Sequence, residues 1–410
     1  MNSQLRINGD RLWQRLNEIA KIGATALGGC NRQALTDEDK QGRDLFIGWC
    51  KAAGCSVRVD EIGNIFVRRA GRSDSLPCVM TGSHLDTQPT GGKYDGVYGV
   101  LAGLEVLETL NDHNIETTNP LEVVVWTNEE GARFDMAMMG SAVWAGQMRL
   151  EDAYELADRE GITVRDELAR HGYIGEHPAK PHAVKAVFET HIEQGPVLEA
   201  ANQVIGIVTG VQNMSRYRVV IHGTETHAGP APMAMRHDPV MALASILPAL
   251  YKMAERHGPD SRLTVGYLSA SPGSSNTVPG EVELTVDIRH PQEQIYASML
   301  DEFRAIVDDS CQARGLHVPV DCFFESPGVT FDAGCVEAVS ESVSSLGYTA
   351  DRIVSGAGHD ACNVAAVAPT SMIFIPCEEG ISHNELENIE ASHSEAGANV
   401  LLLAMLKMAS

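Results

Sequence analysis

The chain has 410 residues, with 31 Lys or Arg against 55 Asp or Glu and a formal net charge of −24. That balance argues against nucleic acid or an anionic membrane as a partner, and no apolar stretch reaches the length of a membrane span. A chain this long exceeds one ordinary compact domain, and 44% hydrophobic residues with 5% aromatic is the make-up of an α/β protein.

The N-terminal segment MNSQLRINGDRLWQRLNEIA lacks the basic start, apolar centre and small-residue cleavage site of a signal peptide. Nine cysteines, an odd number without a CxxC pair, do not make a disulfide framework, so a reducing cytoplasm is expected. Leu12, Leu16 and Ile19 recur at helical spacing, and Thr36 with Asp39 gives a capping-box-like start before LFIGWCKAAG. CVMTGSH and LEVVVWTNEE each read as a buried strand, continuously apolar and ending in polar residues. Between them GVYGVLAGLEVLETLNDHN reads as a helix, so the pattern is α/β with a largely parallel sheet.

The order changes near Asn213. SRYRVVIHG, PVMALASILPALYKMAERHG, RLTVGYLSA, EVELTVDIRH, EQIYASMLDEFRAIVDDSCQARG and HVPVDCFFE read β-α-β-β-α-β, the signature of a ferredoxin-like unit. The chain then returns to a helix, a Gly-rich loop and the strand TSMIFIPC. The expected organisation is an inserted α+β domain over residues 213–330, inside a discontinuous domain of residues 1–212 and 331–410.

Ionisable side chains collect at strand ends in four places: His84, Asp86 and Asp95 in TGSHLDTQPTGGKYDG, Glu129 and Glu130 in TNEEGARF, His191 and Glu193 in FETHIEQG, and His383 in GISHNE. Singly, each has an ordinary explanation, since a lone His beside a strand is usually a surface or capped residue and a Glu pair before Gly a solvated turn. Open parallel sheets bind ligands beyond the carboxyl ends of their strands, and carboxylates gathered there repel one another unless a cation lies among them. Imidazoles with carboxylates suit a pair of divalent ions, zinc, manganese, cobalt or nickel. Neighbouring side chains at a strand end diverge, so one of Glu129 and Glu130 can ligate while the other handles a proton. Asp86, two residues from His84 on an extended segment, is placed to hold the imidazole's other N–H.

GSHLDTQPTGGKYDG, NEEGARF, HIEQGPVLE, NTVPGEVELTVDIRHP, SGAGHDA and MIFIPCEEGISHNE, in this order from about residue 10 to the C-terminus, resemble the amidase/carbamoylase branch of the M20 metallopeptidase family. That branch holds N-carbamoyl-L-amino-acid hydrolases, β-ureidopropionases and allantoate amidohydrolases. The resemblance implies a dinuclear catalytic domain with an inserted ferredoxin-like lid that makes a homodimer. It implies His84, Asp95, Glu130, His191 and His383 as metal ligands with Asp95 bridging, Glu129 as general base, and Asp86 beside them. It also implies substrate contacts from His227, Asn276 and Arg289 on the lid, with His227 near the developing oxyanion, and from Gln194, Gly358 and His359 on the catalytic side.

The implied reaction is metal-dependent hydrolysis of the ureido C–N bond of N-carbamoyl-L-amino acids or N-carbamoyl-β-alanine to amino acid, carbon dioxide and ammonia. Allantoate hydrolysis is the alternative, with an M20 aminopeptidase or dipeptidase and a non-catalytic binding protein behind it. The ureido carbonyl is a poor electrophile, which a metal ion would polarise. Arg289, in VDIRH, can meet a substrate carboxylate through two parallel hydrogen bonds, although pairing with an acidic neighbour is the commoner fate of an Arg. Arg236 in MRHD is a weaker candidate for the same task. The chain departs from the family where THAGPAPM places Pro230 and Ala231 after the HAG of the lid, and at NMSRY, residues 213–217, where a bulkier aromatic stretch is frequent.

Overall fold

The computed structural model of the chain describes residues 4–410. They form two compact units, one running to Thr209 and resuming over Thr330–Ser410, the other Gly210–Val329.

The first unit is built on a nine-stranded mixed sheet. Its strands in chain order are β1 (Ser56–Val59), β2 (Ile65–Arg69), β3 (Cys78–His84), β4 (Leu121–Trp126), β5 (Val184–Ile192) and β6 (Ile205–Val211). After the second unit, which holds β7 to β12, come β13 (Val329–Thr330), β14 (Ala350–Ser355) and β15 (Thr370–Ile375). Spatial order is β1-β2-β4-β3-β5-β15-β6-β13, with β14 also on β6. The four central strands β4, β3, β5 and β15 run parallel, while β1, β2 and β6 join antiparallel. Every residue of β3, β4 and β15 is buried, as expected of parallel strands covered on both faces. The helices Val97–Asp112 and Ala391–Ala409 pack on each other and on β3 and β5, and both are buried around most of their circumference. A cluster of Phe66, Met80, Val124, Trp126, Trp144 and Val187 fills one layer, with the Phe66 ring edge-on to Trp126 at 5.8 Å.

The second unit is a four-stranded antiparallel sheet ordered β12 (Val320–Ser326), β7 (Asn213–His222), β11 (Glu281–His290), β9 (Arg262–Ser271). In chain order its elements alternate β-α-β-β-α-β, with helices Pro239–Arg256 and Glu293–Gln312. Burial alternates residue by residue along β7 and β11, so one face packs on the helices and the other stays open. Val219, Ile221, Leu284, Val286 and Ile288 meet Ile246, Leu250, Met299, Phe303 and Val307 in a core of its own. A two-stranded ribbon, β8 (Thr226–His227) with β10 (Thr277–Val278), completes the unit. The strand expected from His317 is continuous only from Val320, because Pro319 has no N–H to offer the ladder. Its carbonyl still accepts from the Val220 N–H at 3.1 Å.

Candidate metal centre

The carboxyl ends of the four parallel strands carry the site. His84 ends β3 opposite Trp126 of β4, and His191 stands next to the end of β5, opposite Phe374 of β15. The loop after β3 brings Asp95, the turn after β4 brings Glu129 and Glu130, and the loop after β15 brings His383. Gly96 lets Asp95 turn back over His84, at φ +66° and with a backbone so close that an added Cβ would lie 2.3 Å from the imidazole.

Nδ1 of His84 lies 2.9 Å from the main-chain carbonyl of Asp86, and Nδ1 of His191 lies 2.9 Å from that of Ile192. A carbonyl only accepts, so both rings carry their proton on Nδ1 and present Nε2. Nε2 of His191 accepts the N–H of Gly96 at 3.2 Å. The two Nε2 atoms face the same oxygen, Asp95 Oδ1, at 3.4 and 3.1 Å. Asp95 Oδ2 faces the other way, 3.5 Å from His383 Nε2, which is itself 3.3 Å from Glu130 Oε2. His84, Asp95 and His191 thus form one group, and Asp95, Glu130 and His383 a second, with ligand atoms in each group within 4.8 Å of one another. One carboxylate shared by two imidazole-bearing groups is a donor set that fits two divalent ions. Three residues around it, Asn128 (φ 54°), Gln194 (φ 57°) and His383 (φ 53°), hold left-handed backbone conformations, strain of a kind that collects at functional sites.

Burial opposes charge on His84, and Glu129 with Asp95 outweighs it, holding its pKa well above the ordinary value. Burial likewise opposes charge on His191, which Asp95 overcomes to raise its pKa. Asp95 is driven well below the ordinary carboxylate range, because His191 and His84 more than offset its burial. Burial, with Asp95 next to it, pushes Glu130 up to about 8. Glu129 is raised well above its usual value by burial, Asp360 and Glu130.

Asp86 is held differently from the sequence expectation. Its carbonyl, not its carboxylate, takes the His84 N–H, and the carboxylate accepts the main-chain N–H groups of Glu129 at 3.3 Å and Glu130 at 3.1 Å. The irregular segment after β3 places the Asp86 carbonyl at the His84 ring and its side chain at the Glu129–Glu130 turn. Glu193 also leaves the cluster: its carboxylate accepts the N–H groups of Val197 and Leu198, both at 2.9 Å, at the start of the short helix Val197–Ala200.

Gln194 donates its amide to Asp95 Oδ2 at 2.7 Å. His359 is buried with its ring centroid 4.6 Å from that of His191 and Nε2 3.0 Å from Ser355 Oγ. Burial and the neighbouring His191 hold His359 well below the ordinary imidazole pKa. Gly358 precedes it, where an added Cβ would come 3.3 Å from Met138. In the second unit, Nδ1 of His227 accepts the Gly229 N–H at 3.0 Å, which leaves Nε2–H as a donor. Asn276 is adjacent across the ribbon, its carbonyl accepting the Ala228 N–H at 2.9 Å. Arg289 makes a two-pronged ion pair with Asp287, at 2.7 and 3.0 Å. Both line a cavity of about 300 Å³ on the open sheet face with Arg216 and Phe323. Arg236 holds the loop after His227, donating to the carbonyls of Ala231 and Ala228 at 3.0 and 2.6 Å.

Sequence reasoning did not single out Gln88, whose amide donates to Glu130 Oε2 at 2.8 Å, Glu189, which accepts from Ser83 Oγ at 2.7 Å and Ala361 N–H at 2.9 Å, or Ser382 and Glu387 beside Asp95. The alternation of β5 offered a signal for Glu189, two residues before His191 on the same strand face. A further group, Cys78, Glu122 and His182, lies at the other end of β3 and β4. Glu122 there is already paired with Arg68 at 2.8 Å and His182 at 2.7 Å, which makes it a structural ion-pair network.

Residues 80–407 match the model of peptidase family M20/M25/M40. The chain is 47% identical to an N-carbamoyl-L-amino-acid amidohydrolase of Rhizobium meliloti, over 98% of this chain and 97% of that one. It is 32% identical to an allantoate amidohydrolase of Bacillus subtilis, over 95% of each. Among solved structures, an amidase of the hydantoinase/carbamoylase family from Burkholderia multivorans superposes with a TM-score of 0.96 at 49% identity, over 99% of this chain and 98% of that one. The chain belongs to peptidase family M20/M25/M40, in its hydantoinase/carbamoylase amidase branch.

Proposed function

We propose that the protein is a metal-dependent amidohydrolase that cleaves the ureido C–N bond of N-carbamoyl-L-amino acids. With one water the reaction gives the free amino acid, carbon dioxide and ammonia. The observation that carries this reading is the division of Asp95 between two groups, Oδ1 toward His84 and His191, Oδ2 toward His383 and Glu130, with buried Glu129 alongside. The names of the relatives at 47% and 32% identity support a ureido substrate; the second of them makes allantoate the alternative, and N-carbamoyl-β-alanine is a third substrate to test.

His84, Asp95 and His191 would hold one divalent ion, and Asp95, Glu130 and His383 the other, zinc, manganese, cobalt or nickel. When bound, the ions supply a polarised ureido carbonyl and a water of lowered pKa. Glu129 takes a proton from the attacking water and returns it to the leaving nitrogen; burial, which raises its pKa, favours the return of that proton. Asp86 fixes Glu129 and Glu130 by their main-chain N–H groups. Gln194 orients Asp95 from the side, and Gly358 with His359 forms the neighbouring wall. His227 and Asn276 on the second unit would contact the ureido group, His227 offering Nε2–H to the developing oxyanion, and Arg289 would grip the substrate carboxylate.

We infer further that the protein is a homodimer formed through residues 213–330. β9 ends its sheet and carries Tyr267 and Leu268 about half exposed, an edge suited to pairing with a second copy; light scattering that returned a monomer would refute this. Nine free cysteines agree with a reducing cytoplasm. No helix among the described residues is long and apolar enough to cross a membrane.

The test is ammonia release by metal-reconstituted protein on N-carbamoyl-L-amino acids, N-carbamoyl-β-alanine, allantoate and an unmodified dipeptide, each with an EDTA control. Chelator-sensitive turnover of a carbamoyl amino acid is expected. Turnover of allantoate alone would move the substrate assignment, and cleavage of the dipeptide alone would replace the reading with a peptidase. Glu129→Gln should cut turnover by at least about 100-fold while bound metal is unchanged.

A further inference from the structure

Glu387 lies outside the ligand set and is buried. Its Oε1 accepts the main-chain N–H groups of Tyr94 at 2.9 Å and Asp95 at 3.1 Å. Its Oε2 is 3.0 Å from Ser382 Oγ, and the same hydroxyl is 2.9 Å from Asp95 Oδ2. Gly92 makes room for this contact, since a Cβ there would lie 2.0 Å from the Glu387 carboxylate. One buried carboxylate therefore clamps two loops from distant parts of the chain: residues 92–96, which carry Asp95, and residues 382–387, which carry His383.

The His383 side needs such a clamp more than the His84 side does. His84 and His191 sit on the buried central strands β3 and β5 and have their rings fixed by main-chain carbonyls. His383 sits on an irregular loop with its side chain half exposed, and only that loop's attachment determines where its Nε2 falls relative to Asp95 Oδ2 and Glu130. We propose that Glu387, acting through Ser382 and the Tyr94–Asp95 main chain, is the positioning residue that sets the Asp95–His383 separation and so assembles the second of the two metal sites. This rests on the metal reading given above.

The experiment is a calorimetric titration of metal-free protein with Mn²⁺ alone, on wild type, Glu387→Ala, Glu387→Gln and Ser382→Ala, with circular dichroism to follow folding. Partners that orient ligands typically account for about 10–100-fold in metal affinity. Wild type should bind two equivalents, and Glu387→Ala should bind the weaker equivalent about 10–100-fold less tightly. Glu387→Gln should restore binding, because its amide oxygen accepts both N–H groups and its NH₂ donates to Ser382, whose single proton then serves Asp95. With Co²⁺ in place of Mn²⁺, the visible absorption of Glu387→Gln should match wild type and that of Glu387→Ala should not. Unchanged affinity in Glu387→Ala, or equal losses in the Ala and Gln variants, overturns the inference while leaving the metal reading intact. If Glu387→Ala does not fold, Ser382→Ala decides: weakened Mn²⁺ binding upholds the clamp and unchanged binding overturns it. A wild type that takes up no Mn²⁺ overturns the metal reading and the clamp together.

Discussion

Gly96 joins the Asp95 loop to the helix Val97–Asp112, and a Cβ built on it lies 2.3 Å from Cε1 and Nε2 of His84. Ordinary contact begins at 3.4 Å, so Gly96→Ala must part the loop and the imidazole by about 1 Å, whereas metal–ligand distances tolerate about 0.2 Å. The ring has little freedom to rotate away, because it is buried and its Nδ1–H is donated to the Asp86 carbonyl at 2.9 Å. The positive φ adds strain of about 1–3 kcal/mol in a residue with a side chain. The variant should therefore fold, lose about 1–3 kcal/mol in chemical denaturation, and fail to bind metal at the His84–Asp95–His191 group. Mn²⁺ titration beside urea unfolding of the metal-free protein measures both quantities. Gly96→Ala protein that binds two equivalents with wild-type affinity would refute the argument that Gly96 exists to let Asp95 approach His84.

Glu122→Gln tests the ion-pair network at the far end of β3 and β4. Burial alone would raise the Glu122 pKa, but His182, Arg58 and Arg68 more than offset it and hold it at about 2 against an ordinary 4.5. A depressed carboxylate stabilises the fold above its unfolded pKa and loses that stabilisation as pH falls toward the folded one, so the wild-type advantage should be about 3 kcal/mol above pH 5 and shrink between about pH 4.5 and 2. A pH-independent difference in urea unfolding would sink this. Arg289→Ala should raise KM for carbamoyl amino acids about 30-fold or more with a smaller effect on kcat, the loss expected of one charged hydrogen-bonded partner; steady-state kinetics with unchanged KM would remove Arg289 from substrate binding.

The strands that carry the centre were legible because continuous apolar runs such as CVMTGSH and TSMIFIPC end in polar residues at the edge where parallel sheets bind ligands. The antiparallel unit was legible from alternation, and EVELTVDIRH matches β11 residue for residue. What the sequence hid was direction. Asp86 and His84 are two residues apart in either account, but only the backbone's course beyond β3 decides that the carbonyl, rather than the carboxylate, meets the ring. Glu193 lies as near His191 in sequence as Glu189 does, and local capping takes one away while strand alternation keeps the other in. Glu387 and Glu385 are both acidic residues of one loop, and nothing local marks Glu387 as the buried one; the main-chain N–H groups it accepts are 292 and 293 residues away.

The two imidazoles owe their protonation pattern to peptide carbonyls, those of residues 86 and 192. Every amino acid brings the same carbonyl, so the nitrogen each ring presents is insulated from substitution at either neighbour. Asp86 consequently does two jobs that can be inherited separately. Its main chain selects the nitrogen that His84 offers and persists through any change of side chain. Its carboxylate governs the Glu129–Glu130 turn, so a change of side chain at this position would reach the base Glu129 and the Glu130 ligand while the nitrogen that His84 offers stays as it was.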